Sequence, residues 1–158
     1  MQTSRVGIVG CGDLGRAFCT AVVGMKNANL AICVDLDITI ATICAHDFGT
    51  TAATSWETQP LDALVITSPI ESHAEAALAA IRAGIPTLLA PPIALGVAEA
   101  RRLVRLAHES KTTLHMAFPW RYTPLIALAH RIMPAPVFGH LYVAGSSNVI
   151  EPQSRGSG

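Results

Sequence analysis

Residues 5–18, RVGIVGCGDLGRAF, join an apolar run from Val6 to Val9, glycines at positions 10, 12 and 15, and an apolar helical repeat beginning at Leu14, with no gap between them. A chain that passes from strand to helix in so few residues must turn tightly, and glycine is what permits the turn. The G-x-G-x-x-G spacing gives each glycine its own task. Gly10 makes the turn, Gly12 carries no side chain to hold a pyrophosphate away, and Gly15 lets the helix lie close on the strand. The first N–H groups of that helix and its positive dipole end then face an anion. Twelve glycines in 158 residues can produce this spacing by chance, so the specificity lies in the strand before it and the helix after it. Cys11, Asp13 and Leu14 are the loop residues expected against the ligand beside the glycines.

The pattern continues as strand and helix in alternation. Leu14, Ala17, Phe18, Ala21, Val22 and Met25 form a stripe at helical spacing, and Leu30 to Val34 is a short apolar run of the kind a parallel strand covered on both faces requires. That run ends at Asp35, twenty residues beyond Gly15, where a dinucleotide-binding unit places the acid that accepts hydrogen bonds from the adenosine ribose. Its neighbour is Leu36 rather than an arginine, and a carboxylate repels a 2′-phosphate, so NAD is expected over NADP. The competing role for Asp35 is a helix N-cap.

Residues 37–47 read as a second helix closed by Gly49, and an edge strand is expected around Ala52, with Trp56 covering core. Strands follow at 61–67, 86–89 and 113–118, with helices opening near Ser72, whose spacing to Glu75 matches a capping box, and at Val97. Ala74, Ala77, Leu78 and Ile81 are the expected inner face of the third helix, and Val97, Ala100, Leu103, Val104 and Ala107 that of the fourth. Residues 121–133 look helical, with Pro124 near the start, and 138–144 look like one more strand without a partner. The fold class is therefore α/β, a doubly wound parallel sheet of six strands with helices on both faces. The expected division is a dinucleotide-binding domain over 1–133 and a connecting stub with a loose tail over 134–158. In such a sheet the first and fourth strands are neighbours, so the segment Thr67, Ser68, Pro69 faces the glycine loop, and His73 in the next helix is expected to look into the same crevice.

Together these patches resemble the Gfo/Idh/MocA family of nicotinamide-dependent oxidoreductases, which act mainly on sugars and polyols. TSPIESH, residues 67–73, is similar to the family's T-P-x-x-x-H segment, AALAAIRAGIPTLL to its following helix and strand, and MAFPWRYTP, residues 116–124, to its G-F-N-x-R-x-x-P segment. The resemblance covers roughly residues 5–145. It implies a dinucleotide site that also takes in Ala90, Pro91 and Arg121, and a hydride-transfer reaction in full-length members.

Two departures qualify that implication. The family carries E-K-P after its fifth strand, and this chain has Ala90, Pro91 and Pro92. The chain's two lysines, Lys26 and Lys111, fall away from the crevice, and proline offers no proton. No catalytic residue is therefore assigned; His73, His115 and Arg121 are the candidates for a residual activity. The second departure is length, since family members continue into a substrate domain, so the chain is expected to be a truncated member. The alternative is a non-catalytic, NAD-binding regulatory module that docks on a partner through 138–144, a segment that could also support an oligomer.

The remaining numbers exclude rather than assign. Eleven basic and eleven acidic residues cancel, giving no footprint for nucleic acid or an anionic membrane. Small-molecule substrate is expected only where a second domain is supplied. No apolar run is long enough to span a bilayer, which points to the cytoplasm. Cys11, Cys19, Cys33 and Cys44 contain no C-x-x-C pair, so no metal is expected and the four read as small core or turn residues.

Overall fold

The structure is a computed structural model and describes residues 3–132. A compact unit runs to Pro119 and a second unit begins at Trp120. The first unit contains β1 (Ser4–Val9), α1 (Asp13–Val23), β2 (Ala28–Val34), α2 (Ile38–Phe48), β3 (Thr51–Ala53), β4 (Ala63–Ile66), α3 (Ile70–Arg82), β5 (Thr87–Leu89), α4 (Val97–Glu109) and β6 (Leu114–Met116). A 3-10 turn (Pro119–Tyr122) and α5 (Pro124–Ile132) follow. Pro124 is the first residue of α5, where its missing N–H costs nothing. The strand expected at 138–144 lies outside the described residues.

All six strands are parallel, in the order β3-β2-β1-β4-β5-β6. Val6, Ile8, Cys33 and Val65 pack with Cys19 and Val22 of α1 and Ala41, Cys44 and Ala45 of α2. Ile32, Val34, Leu64, Ile66 and Leu89 pack on the other face with Ala74, Ala77 and Ile81 of α3 and Leu103 and Ala107 of α4. Both faces are thus covered, which is why these strands read as unbroken apolar runs. Leu30 and Ile32 point to opposite faces although two residues apart, because the β1–β2 register skips a residue between Val6 and Gly7. One extra residue in a strand reverses the facing of everything after it.

Several helix faces differ from the periodic reading. In α1 the buried residues are Gly15, Cys19 and Val22, whereas Leu14 and Met25 are 41% and 51% exposed. Hydrophobicity scoring favours Leu and Met, but the backbone's approach at Gly15 fixes which side meets the sheet. In α4, Val97 and Val104 are exposed and only Leu103 and Ala107 are buried. α3 starts two residues before the expected capping box, with Pro69 as N-cap, and the Ser72 hydroxyl donates to the Pro69 carbonyl at 2.8 Å. α2 forms despite its β-branched residues because Asp37 accepts from the Thr39 N–H at 2.8 Å and Gly49 closes it in the left-handed conformation (φ 66°). That bond identifies Asp37, not Asp35, as the cap. Trp56 is buried in the core beside α3, as expected.

Candidate functional site

The site grows from the C-terminal ends of β1, β2 and β4. Gly10 sits at φ 94°, and a Cβ there would collide with the backbone of Thr67 and Ser68. A Cβ on Gly15 would collide with the Gly10 carbonyl. Both glycines are therefore required by the backbone itself. At Gly12 a Cβ would meet nothing within 4 Å; the bare backbone there opens onto free space. Gly12 is also the N-cap of α1, and no side chain bonds to that helix end. One glycine of the three is thus spare for folding and placed for an anion.

The Asp35 carboxylate holds the loop in place. Its Oδ2 accepts from the Cys11 N–H at 2.9 Å and its Oδ1 from the Asp37 N–H at 3.1 Å. Each oxygen retains a further lone pair, so Asp35 can still accept from a ligand's hydroxyls. Thr67 fastens the other side: its hydroxyl donates to the Gly10 carbonyl at 2.8 Å, and its N–H to Val9 at 2.7 Å. The Gly10 N–H donates to Val34 at 2.8 Å. These bonds tie three strand ends into one rigid rim.

Between them opens a cleft of about 460 Å³, whose lining includes Gly10, Asp35, Leu36, Trp56, Ser68 and Pro69. Asp37, Glu57 and Glu75 also line it, and among the described residues no lysine, arginine or histidine does. The Ser55 hydroxyl bonds the Glu57 carboxylate, holding that carboxyl below its usual range. Sequence reasoning missed this wall. The signal was available, because β3 was expected as an edge strand, and the loop leaving a parallel strand's C-terminal end faces the crevice.

His73 does not look into the crevice. It is 2% exposed, with Nδ1 2.9 Å from the Pro92 carbonyl oxygen and Nε2 2.6 Å from that of Ser68. Both ring nitrogens face acceptors, so the ring bridges the loop after β4 to the loop after β5 and offers a ligand nothing. It is a positioning residue. Ala90 is buried, with its N–H on the Ile66 carbonyl at 2.8 Å, while Pro91 and Pro92 are exposed. Lys26 precedes β2 and Lys111 precedes β6, which puts both at the opposite, N-terminal edge of the parallel sheet. His115 lies within β6 and Arg121 is exposed in the turn of the second unit. The structure thus joins Gly10, Cys11, Gly12, Asp13, Leu14, Gly15, Asp35, Thr67, Ser68 and Pro69 along one rim, with Ala90 and Pro91 following the neighbouring strand.

A doubly wound parallel sheet with an uncapped, glycine-opened helix end at its switch point and an acid at the next strand's tip is a dinucleotide-binding domain. Comparison with known proteins narrows this. The model of an oxidoreductase family with an NAD-binding Rossmann fold, Gfo/Idh/MocA, matches residues 4–118, and the chain belongs to that family. It is 28% identical over 126 residues to an inositol 2-dehydrogenase of Rhizobium meliloti, covering 78% of this chain and 38% of that protein. It is 30% identical over 121 residues to a glucose-6-phosphate 3-dehydrogenase of Bacillus subtilis, covering 75% and 34%. The fold superposes with TM-score 0.80 on GenD2 from gentamicin A biosynthesis, solved in complex with NAD, at 26% identity over 84% of this chain and 39% of that one. The chain therefore spans well under half the length of these relatives. Among the described residues no helix is long and apolar enough to cross a membrane.

Proposed function

We propose that this NAD-binding domain takes NAD(H) in preference to NADP(H), with the pyrophosphate over Gly12 and the adenosine ribose on Asp35, and that its own residues bind and orient the dinucleotide without transferring the proton. The observation that carries the reading is the contrast among the three glycines: two are closed by their own backbone and one is open at a helix end, next to a carboxylate with acceptor capacity to spare. The preference for NAD follows from charge. Asp35, Asp37, Glu57 and Glu75 line the cleft with no cation beside them among the described residues, and a 2′-phosphate brought there meets like charge.

NAD, when held there, would supply the acceptor for a hydride from a secondary alcohol. For this chain's residues the assignment is narrower. Gly12 and the first N–H groups of α1 receive the diphosphate, Asp35 receives the ribose, and Thr67 and His73 hold the loops that shape the rim. By the resemblance, Pro91 stands where the family places its lysine, and a proline can neither donate a proton nor polarise a hydroxyl. Oxidation of an inositol or a sugar, the activity in the relatives' names, accordingly requires groups from outside residues 4–118. A cytoplasmic location belongs to the same proposal, since four free thiols persist in a reducing compartment.

Calorimetric titration with NADH, NADPH and the Gly12→Val variant tests the assignment. NADH is expected to bind more tightly than NADPH and the folded variant to bind neither. Absence of NADH binding at millimolar concentration overturns the reading.

A further inference from the structure

We propose that Cys19, Cys33 and Cys44, completed by Cys11, form a buried thiolate site for a thiophilic d10 cation of the zinc class, beneath the glycine loop. Intervals of eight, fourteen and eleven residues keep these cysteines apart in the chain, and no spacing rule would group them. The fold does, by bringing together the glycine loop, α1, β2 and α2.

The Sγ atoms of Cys19, Cys33 and Cys44 form a triangle with edges of 3.8, 3.8 and 3.7 Å. A zinc–thiolate bond of about 2.3 Å in a tetrahedral site sets neighbouring sulfurs about 3.8 Å apart. The triangle therefore has the dimensions of one face of such a site before any cation is added. Cys11 Sγ lies within 4.8 Å of those of Cys33 and Cys44 and contacts the Val34 carbonyl oxygen at 3.5 Å. Giving up that weak contact frees it to serve as fourth ligand.

The surroundings fit a closed structural site. All four cysteines are at most 2% exposed, and Val6, Ile8, Val22, Leu30, Ala41 and Val65 wall them in. Soft thiolates in a dry, fourfold cage suit zinc, cadmium or copper(I), whereas a magnesium or calcium ion requires oxygen ligands. The buried thiols give up their protons when a cation takes the protons' place.

Neutral thiols merely packed in contact would stand equally close and bind nothing, and this is the outcome the experiment must separate. Because the cage is closed, the cation has to be offered during folding. The whole chain is unfolded in denaturant with a phosphine reductant and chelator, then refolded with a slight excess of Cd²⁺ or Zn²⁺ and desalted. The expected result is about one ion per chain, a thiolate-to-cadmium charge-transfer band, and a Tm several degrees above that of protein refolded without metal. The Cys33→Ala/Cys44→Ala variant is expected to lose all three. Circular dichroism reports whether it folds; should it not, the single Cys44→Ala variant replaces it. No retained ion, or an ion that leaves Tm unchanged or lower, overturns the proposal, as does retention by the folded variant. None of these readouts involves NADH, so the metal site and the dinucleotide site can fail separately.

Discussion

The two halves of the sheet meet at the β1–β4 junction and are furnished differently. On the β1–β2–β3 side, the strand tips carry the open helix end at Gly12, the loop-fastening carboxylate of Asp35, and Asp37 and Glu57 on the cleft wall. On the β4–β5–β6 side, the tips of β5 and β6 lead into Ala90, Pro91, Pro92, Ala117, Phe118 and Pro119, none of which ionises. His73, the one titratable side chain buried there among the described residues, faces two backbone carbonyls. The proposed nucleotide contacts therefore come from one half of the sheet more than from the other. On the proposed reading, nucleotide binding is written into one strand-loop-helix unit and the tip of the next strand.

Breaking the first half should have the largest consequences. Gly15→Ala forces a methyl into the Gly10 carbonyl, where backbone meets backbone and neither can yield. The expected loss is about 3 kcal/mol or more, read as a collapsed denaturant midpoint or no soluble protein. Gly12→Val lies three residues away and should leave the midpoint nearly unchanged, since its Cβ enters open space. Its NADH affinity should instead fall by at least about a hundredfold, or about 3 kcal/mol. Equal damage to folding by the two variants would remove the distinction on which the site assignment stands.

The second half is broken through its bridge. His73→Ala leaves the Ser68 and Pro92 carbonyls without their partner in a nearly dry setting, at an expected cost of about 2–3 kcal/mol in stability. NADH affinity in the folded fraction should change less than in Gly12→Val, because the ring faces backbone rather than ligand. Asp35→Ala sharpens the comparison from the other side. Losing the ribose acceptor should weaken NADH by about 1–2 kcal/mol and narrow the preference over NADPH. A preference that does not move would reduce Asp35 to a fastener of Cys11.

How far the sequence could be read follows the same division. β1, its glycines, α2's closing Gly49 and Asp35 were legible because each is a local demand: a turn needs glycine, and a parallel strand ends where its apolar run ends. The α1 stripe misled because Leu14 and Met25 look like core, whereas the close approach at Gly15 aims Cys19 and Val22 at the sheet. Ser72 and Glu75 imitate a capping box, yet Pro69 had already started α3. His73's burial depends on carbonyls five and nineteen residues away, and the cysteine cluster on four elements at once. No periodicity carries such convergence.

The smallest expected effect distinguishes how the helices of the first half are held together. Arg16 of α1 donates to Asp47 of α2 at 2.5 Å, with the guanidinium 5.6 Å over the Phe48 ring. Among the described residues no ion pair links α3 to α4, which meet through Ala77, Ile81 and Leu103 in the apolar core. The hydrogen bond from Arg16 holds the Asp47 carboxyl below the usual carboxylate range. A carboxyl depressed in the folded state stabilises above its unfolded value, about 3.9, and loses that contribution as pH falls through the depressed folded value. Both partners are well exposed, so solvent and salt screen the pair and its contribution is slight. Tm measured from neutral pH down into that range should therefore fall a little less steeply for Arg16→Gln than for the native chain, and the difference should vanish in high salt. A difference that persists in salt would mean that Arg16 acts through Phe48, by covering the ring rather than by charge.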